Sequence, residues 1–172
     1  VNQICHHSND RLMKDMETCV KHKVPIIITS LRPPIEIVEA AHSYGGVVFH
    51  DVINVKHARK AAEHGVDGLI LVCAGAGGHA GTLSPFALLR EVKQWFKGTI
   101  LLSGAISDGW GIASALALGA CSLAGENRQQ LGVLEDVHGV AQKLGAVGLG
   151  TLERVAAHDA AVGAALRELA SA

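Results

Sequence analysis

The chain has 172 residues, an ordinary length for one domain, with 49% apolar and only 3% aromatic side chains. Its 15 basic and 16 acidic residues nearly cancel to a formal net charge of -1, and the basic ones are scattered without interleaved aromatics, which excludes the electrostatic pull that nucleic acid or an anionic membrane requires. No apolar run reaches the roughly 18–20 residues that span a bilayer, so the core is built from Val, Ile, Leu and Ala, the mixture of parallel strands covered by helices.

In chain order, Val1 to Cys5 reads as a short strand and His6-His7-Ser8-Asn9-Asp10 as a polar loop, with Ser8 or Asn9 as a helix cap. A chain that opens on Val inside a strand, without Met or a signal-peptide pattern, reads as a piece of something longer. Arg11 to His22 has Leu12, Met16 and Val20 at helical spacing. Val24 to Ser30 is a buried strand, polar where it exits, and Pro33-Pro34 opens a helix from Ile35 to Tyr44. Val47 to His50 is the next strand. Asn54 caps a helix running to Gly65, with His57, Ala58, Ala61 and Ala62 filling one side.

Val66 to Cys73 is a strand that leads directly into a glycine loop, and Ser84-Pro85 starts a helix carrying Phe86, Leu89, Val92, Trp95 and Phe96. Thr99 to Leu102 is a strand, residues 103–111 form a second glycine-rich loop, and Ile112 to Leu118 is a helix closed by Gly119. Each strand-to-strand step spans roughly 22 to 32 residues, the size of a βαβ unit, so the expected fold is α/β with a parallel sheet and functional loops beyond the strand C-termini. Residues 126–172 are Ala/Leu-rich and read as a helical tail, with one helix from Leu152 to Leu169.

Two loops can carry chemistry. Gly75-Ala-Gly-Gly-His-Ala-Gly81 follows a buried strand, and so many glycines are costly unless the backbone turns sharply or approaches something closely. It is neither a dinucleotide fingerprint nor a P-loop. Two readings of His79 stand side by side: a loop histidine bonded to a carbonyl, and a ligand-facing proton carrier. Ser103-Gly104-Ala105-Ile106 ends the next strand ahead of a helix N-terminus, which reads either as an anion cradle suited to phosphate or as a plain βα turn.

His50-Asp51 ends a strand and can face the same rim. His6 and His7, being adjacent, are expected to point apart, and no set of ligands has metal-binding spacing. Cys5, Cys19, Cys73 and Cys121 lie far apart with no CxxC pair, as expected for reduced, mostly buried thiols of a cytoplasmic protein. Nothing beside Cys73 would activate it as a nucleophile.

Val24-Pro-Ile-Ile-Ile-Thr-Ser-Leu31, His57-Ala-Arg-Lys-Ala61, Gly65-Val-Asp-Gly68, Ala74-Gly-Ala-Gly-Gly-His-Ala-Gly81 and Ser103-Gly-Ala-Ile-Ser-Asp-Gly109 resemble successive segments of the nitronate monooxygenase family, and Val1-Asn2 resembles the end of its Gly-Val-Asn strand. The resemblance runs from residue 1 to about 121 and is most specific at the Ala-Gly-Gly-His-Ala-Gly element. It implies a TIM (β/α)8 barrel binding FMN and oxidising alkyl nitronates with O2 to carbonyl compounds and nitrite.

By the same resemblance His79 matches the catalytic histidine, with Gly77 and Gly78 in the same loop beside the flavin. Ser103, Gly104 and Ala105 fall under the FMN phosphate, and Asn2 and Asp51 at strand ends that contact the flavin. Position 51 carries Lys in some relatives. Gly125 stands near the family's final phosphate contact but is followed by Glu126, whose charge does not substitute for the usual Thr. With Asn2 on the family's third strand, the expected domain is a partial FMN-binding barrel over residues 1–125, strands 3 to 7 or 8. The alternatives are an FMN-dependent NAD(P)H quinone or enoyl reductase, and a truncated remnant without flavin.

Overall fold

A computed structural model of the protein describes residues 1–32, 34–106, 111, 114–115, 117–120 and 122–124. Strands and helices alternate: β1 (Asn2–Cys5), α1 (Leu12–Lys21), β2 (Ile26–Leu31), α2 (Ile35–His42), β3 (Val47–Val52), α3 (Val55–Glu63), β4 (Gly68–Val72), α4 (Pro85–Lys93), β5 (Thr99–Ser103) and β6 (Ser122–Ala124). The strands form one six-stranded sheet in the order β1-β2-β3-β4-β5-β6, every neighbouring pair parallel. Sequential order with parallel pairing is the arrangement of a (β/α)8 barrel, which closes with eight strands; the described part is a partial TIM barrel.

The register separates two faces of the sheet. Ile27 and Val48 lie level, as do Gln3, Thr29, His50, Leu69 and Ile100, and Cys5, Val52, Leu71 and Leu102 continue the same face. These side chains are all buried, Gln3 being the most exposed at 4%. The apolar ones join Leu12, Met16, Ile37, Val38, Ala58, Ala61, Leu88, Leu89 and Val92 of the helices in one core cluster. This is the outer, helix-covered face. The inner face carries Asn2, Ile4, Ile28, Ser30, Phe49, Asp51, Ile70, Leu101 and Ser103, because side chains alternate along a strand. Phe49 and Ile70 are buried there without belonging to the helix-side cluster, while Ile4 is 45% exposed. Gly68 leaves room for the Phe49 ring across the strand pair.

Several local outcomes differ from the sequence expectation. Helix α1 has Arg11 at its N-cap and no side-chain cap; Asn9 instead donates its Nδ2 to the Ile4 carbonyl at 2.9 Å and ties the loop back to β1. Strand β3 runs on to Val52, past His50, because pairing with β4 continues through Asp51 and Val52. Asn54 caps α3 as expected, accepting from the His57 N–H at 2.8 Å. His57 itself is exposed, since Ala58 and Ala61 form the buried stripe. The expected tail, residues 126–172, lies outside the described residues, as do residues 112, 113 and 116 of the expected 112–118 helix.

Candidate functional site

The two glycine-rich loops are zipped together at the C-terminal end of the sheet. Cys73 N–H donates to the Ser103 carbonyl at 2.9 Å, and Ala105 N–H donates to the Gly75 carbonyl at 3.2 Å. Gly81 N–H returns to the Val72 carbonyl at 3.0 Å, so the loop carrying His79 leaves β4 and closes back on its last residue. A Cβ at Gly81 would lie 2.8 Å from that carbonyl and 2.9 Å from Ile53 Cβ. The loop therefore rests on the exit of β3 as well as on β5, and no larger residue fits at that point.

Gly104 has φ +129, and a Cβ there would stand 2.7 Å from the Ala74 carbonyl oxygen, so both conformation and space demand glycine. Ala105 follows at φ 55, a left-handed conformation unusual for a residue with a Cβ. Strained backbone of this kind gathers at functional sites.

His79 is exposed, and among the described residues its imidazole has no hydrogen-bond partner. The N–H groups of Gly77, Gly78, His79 and Gly104 likewise donate to no acceptor among the described residues. Backbone amides left without an acceptor on neighbouring loops are the kind of donor that an anionic group uses. Ala105 differs, since its N–H is already held by Gly75. Ser103 closes β5 on the inner face, half-buried.

The other expected site residues are dispersed. Asn2 opens β1 on the inner face, level with Ile28, one layer below Asp51 rather than at the rim. Gly125 lies outside the described residues. His50 and Asp51 part company: Asp51 faces inward, whereas His50 is buried on the helix side, its Nδ1 2.8 Å from Thr29 Oγ1. Thr29 Oγ1 gives its own proton to the Phe49 carbonyl at 3.0 Å, so His50 Nδ1–H is the donor. Burial, with the nearby His57 and His64, holds the His50 pKa down at about 4. It is a neutral core residue and brings no charge to the rim.

His6 and His7 do not point apart as expected. Their ring centroids are 3.9 Å apart and tilted by 42°, with His6 Nδ1 2.7 Å from Ser8 Oγ. No cluster of three metal-binding side chains exists among the described residues, and no described helix is long and apolar enough to cross a membrane. Cys73 is fully buried and its thiol is pushed up to about 11, which leaves it protonated and inert.

Sequence reasoning missed two parts of this site. Ser30 Oγ donates to Asp51 Oδ2 at 2.6 Å, and Ile53 supports the histidine loop. Both depend on strand register, although the polar exit of β2 at Ser30 is visible as a break in an apolar run.

The sequence profile of the nitronate monooxygenase family matches residues 2–125. The nitronate monooxygenase of Neurospora crassa is 38% identical over 94 residues, 49% of this chain and 25% of that protein. An octahydroindene-carboxyl-CoA dehydrogenase of Mycobacterium tuberculosis is 31% identical over 112 residues, 63% of this chain and 32% of that protein. The chain thus spans no more than about a third of these relatives. Among solved structures, FabK from Thermotoga maritima superposes with a TM-score of 0.64 at 28% identity, covering 72% of this chain and 39% of that one.

Proposed function

The chain belongs to the nitronate monooxygenase family, and from that premise we propose that it forms the cofactor-facing part of an FMN-dependent oxidoreductase that oxidises alkyl nitronates with O2 to carbonyl compounds and nitrite. The observation that carries the reading is that His79 and the amides of Gly77, Gly78 and Gly104, on two interlocked loops, have no hydrogen-bond partner among the described residues. These donors fit a phosphate-bearing cofactor: Gly104 would hold its phosphate, and Gly77 and Gly78 would contribute further backbone donors. FMN, when bound, supplies the electron exchange between substrate and O2.

The chain's own residues do the remainder. His79, exposed and unpaired, takes or holds a proton at an imidazole nitrogen beside the substrate. The loop contacts Ala105–Gly75 and Gly81–Val72 fix where that nitrogen stands. Ile70 and Leu101, the apolar part of the inner face nearest the loops, receive the alkyl portion. The free thiols Cys5, Cys19 and Cys73 support a reducing compartment, the cytoplasm.

A second reading, an FMN-dependent reductase acting on quinones or enoyl thioesters with NAD(P)H, is favoured by the similarity to a relative named as a CoA-ester dehydrogenase. Anaerobic mixing of the flavin-loaded protein with propyl-1-nitronate and with NADH separates the two. Bleaching of the flavin absorbance by the nitronate alone supports the first; bleaching by NADH alone supports the second. A protein that takes up no FMN in titration is a remnant, and both readings fall.

A further inference from the structure

Among the described residues, the inner face of the sheet carries a single carboxyl, and its surroundings give it a task that the histidine loop does not perform. Asp51 is half-buried on β3, level with Ile4, Ser30, Ile70 and Leu101, and the register continues to Ser122 of β6. The 2.6 Å bond from Ser30 Oγ to Asp51 Oδ2 fixes the carboxyl plane, and Oδ1 has no partner among the described residues. Ile53, the next inward residue of this chain segment, lies against Gly81 of the histidine loop. The carboxyl therefore stands one layer beneath the loop that carries His79.

Among the described residues nothing neutralises it. Burial pushes the Asp51 carboxyl above its ordinary pKa, and the Ser30 bond alone opposes that rise. Arg32 beyond β2, His57 on α3, Asp67 before β4 and His79 after it make no contribution, and His50 is turned to the other face. An uncompensated carboxylate among apolar side chains repels an anion strongly, because little water screens the pair.

We propose that Asp51, held by Ser30, is a specificity-determining residue that sets the charge of the substrate the site accepts. Ionised, it receives a hydrogen-bond donor through Oδ1 and disfavours anions such as nitronates and nitrite. Protonated, it donates a hydrogen bond to them. The inference rests on the reading that a nitro compound or its nitronate is the substrate.

The test compares wild type, Asp51→Asn and Ser30→Ala with propyl-1-nitronate and with neutral 1-nitropropane, alongside calorimetric titration of nitrite from pH 4 to 8. The nitrite arm requires no turnover, and a His79→Asn background removes the imidazole's own titration from it. At pH 8, Asp51→Asn lowers the KM for the nitronate and the Kd for nitrite by about tenfold, a larger change than in the KM for the neutral nitropropane. In the His79→Asn background nitrite binding weakens as pH rises while Asp51 is present, and Ser30→Ala moves that transition to higher pH. Nitrite binding that is independent of pH in that background, or that Asp51→Asn leaves unaltered, overturns the assignment. If no nitro compound is oxidised yet nitrite binding follows Asp51, the oxidation reading falls and the charge selection stands.

Discussion

Ala105, in a left-handed conformation at φ 55, donates its N–H to the carbonyl of Gly75 at 3.2 Å and locks the loop after β5 onto the loop after β4. A Cβ added at Gly75 would come within 2.8 Å of Ala105 Cβ, so the two residues leave no slack between the loops.

Replacing Ala105 with Gly should therefore be near neutral for stability. An Ala in this region costs roughly 1 kcal/mol of strain, which offsets the entropy that glycine adds to the unfolded chain. Gly75→Ala, at φ 85 and against Ala105, should destabilise by about 1–3 kcal/mol. Urea unfolding midpoints check both, and a large loss from Ala105→Gly would contradict the strain argument.

Gly81→Ala forces a Cβ against the Val72 carbonyl and Ile53. Because the first of these is backbone, the loop has to move, and FMN affinity is expected to fall along with stability. Fluorescence titration of FMN into folded variant protein measures this. Unaltered affinity would mean that the loop is not seated against the cofactor.

For His79→Asn, flavin binding should persist while nitronate oxidation slows by about 10²-fold or more. Stopped-flow bleaching under anaerobic conditions isolates that step from reaction with O2. Unchanged rates would remove His79 from the chemistry.

The buried His50 predicts an acid weakness. Its folded pKa is depressed to about 4 from an ordinary 6.5, so the unfolded chain binds the proton more readily. Stability from this group is complete above the unfolded value and is lost as pH falls from about 6.5 toward 4, roughly 3 kcal/mol in all. Denaturant titrations at pH 7 and pH 4.5 should show the decline in wild type and a smaller one in His50→Gln. An identical decline in both would assign the acid sensitivity elsewhere.

Much of the fold was legible because apolar runs alternate with helical spacing. The run around Ile26–Thr29 and the loop at Gly75–Gly81 could be located from residue type alone. The side chains that share a layer could not. Extending β3 by two residues past His50 carried Asp51 into the strand, and only register set it beside Ser30 and turned His50 to the helices. Adjacent residues in a strand face opposite sides, so one misplaced strand end changes which of two neighbours reaches a ligand. The His6–His7 stack was equally hidden, since loop conformation rather than strand alternation sets those rings.

The sequential order of the strands, each hydrogen-bonded to the one before it in the chain, gives the sheet a nearest-neighbour architecture. Every βα unit is stabilised by the units on its two flanks, much as in a stacked repeat. Amide protons of β3 and β4, each paired on both sides, should accordingly exchange late. The histidine loop issues from β4 and leans on β3 and β5, so the chemistry is anchored to strands that let go late.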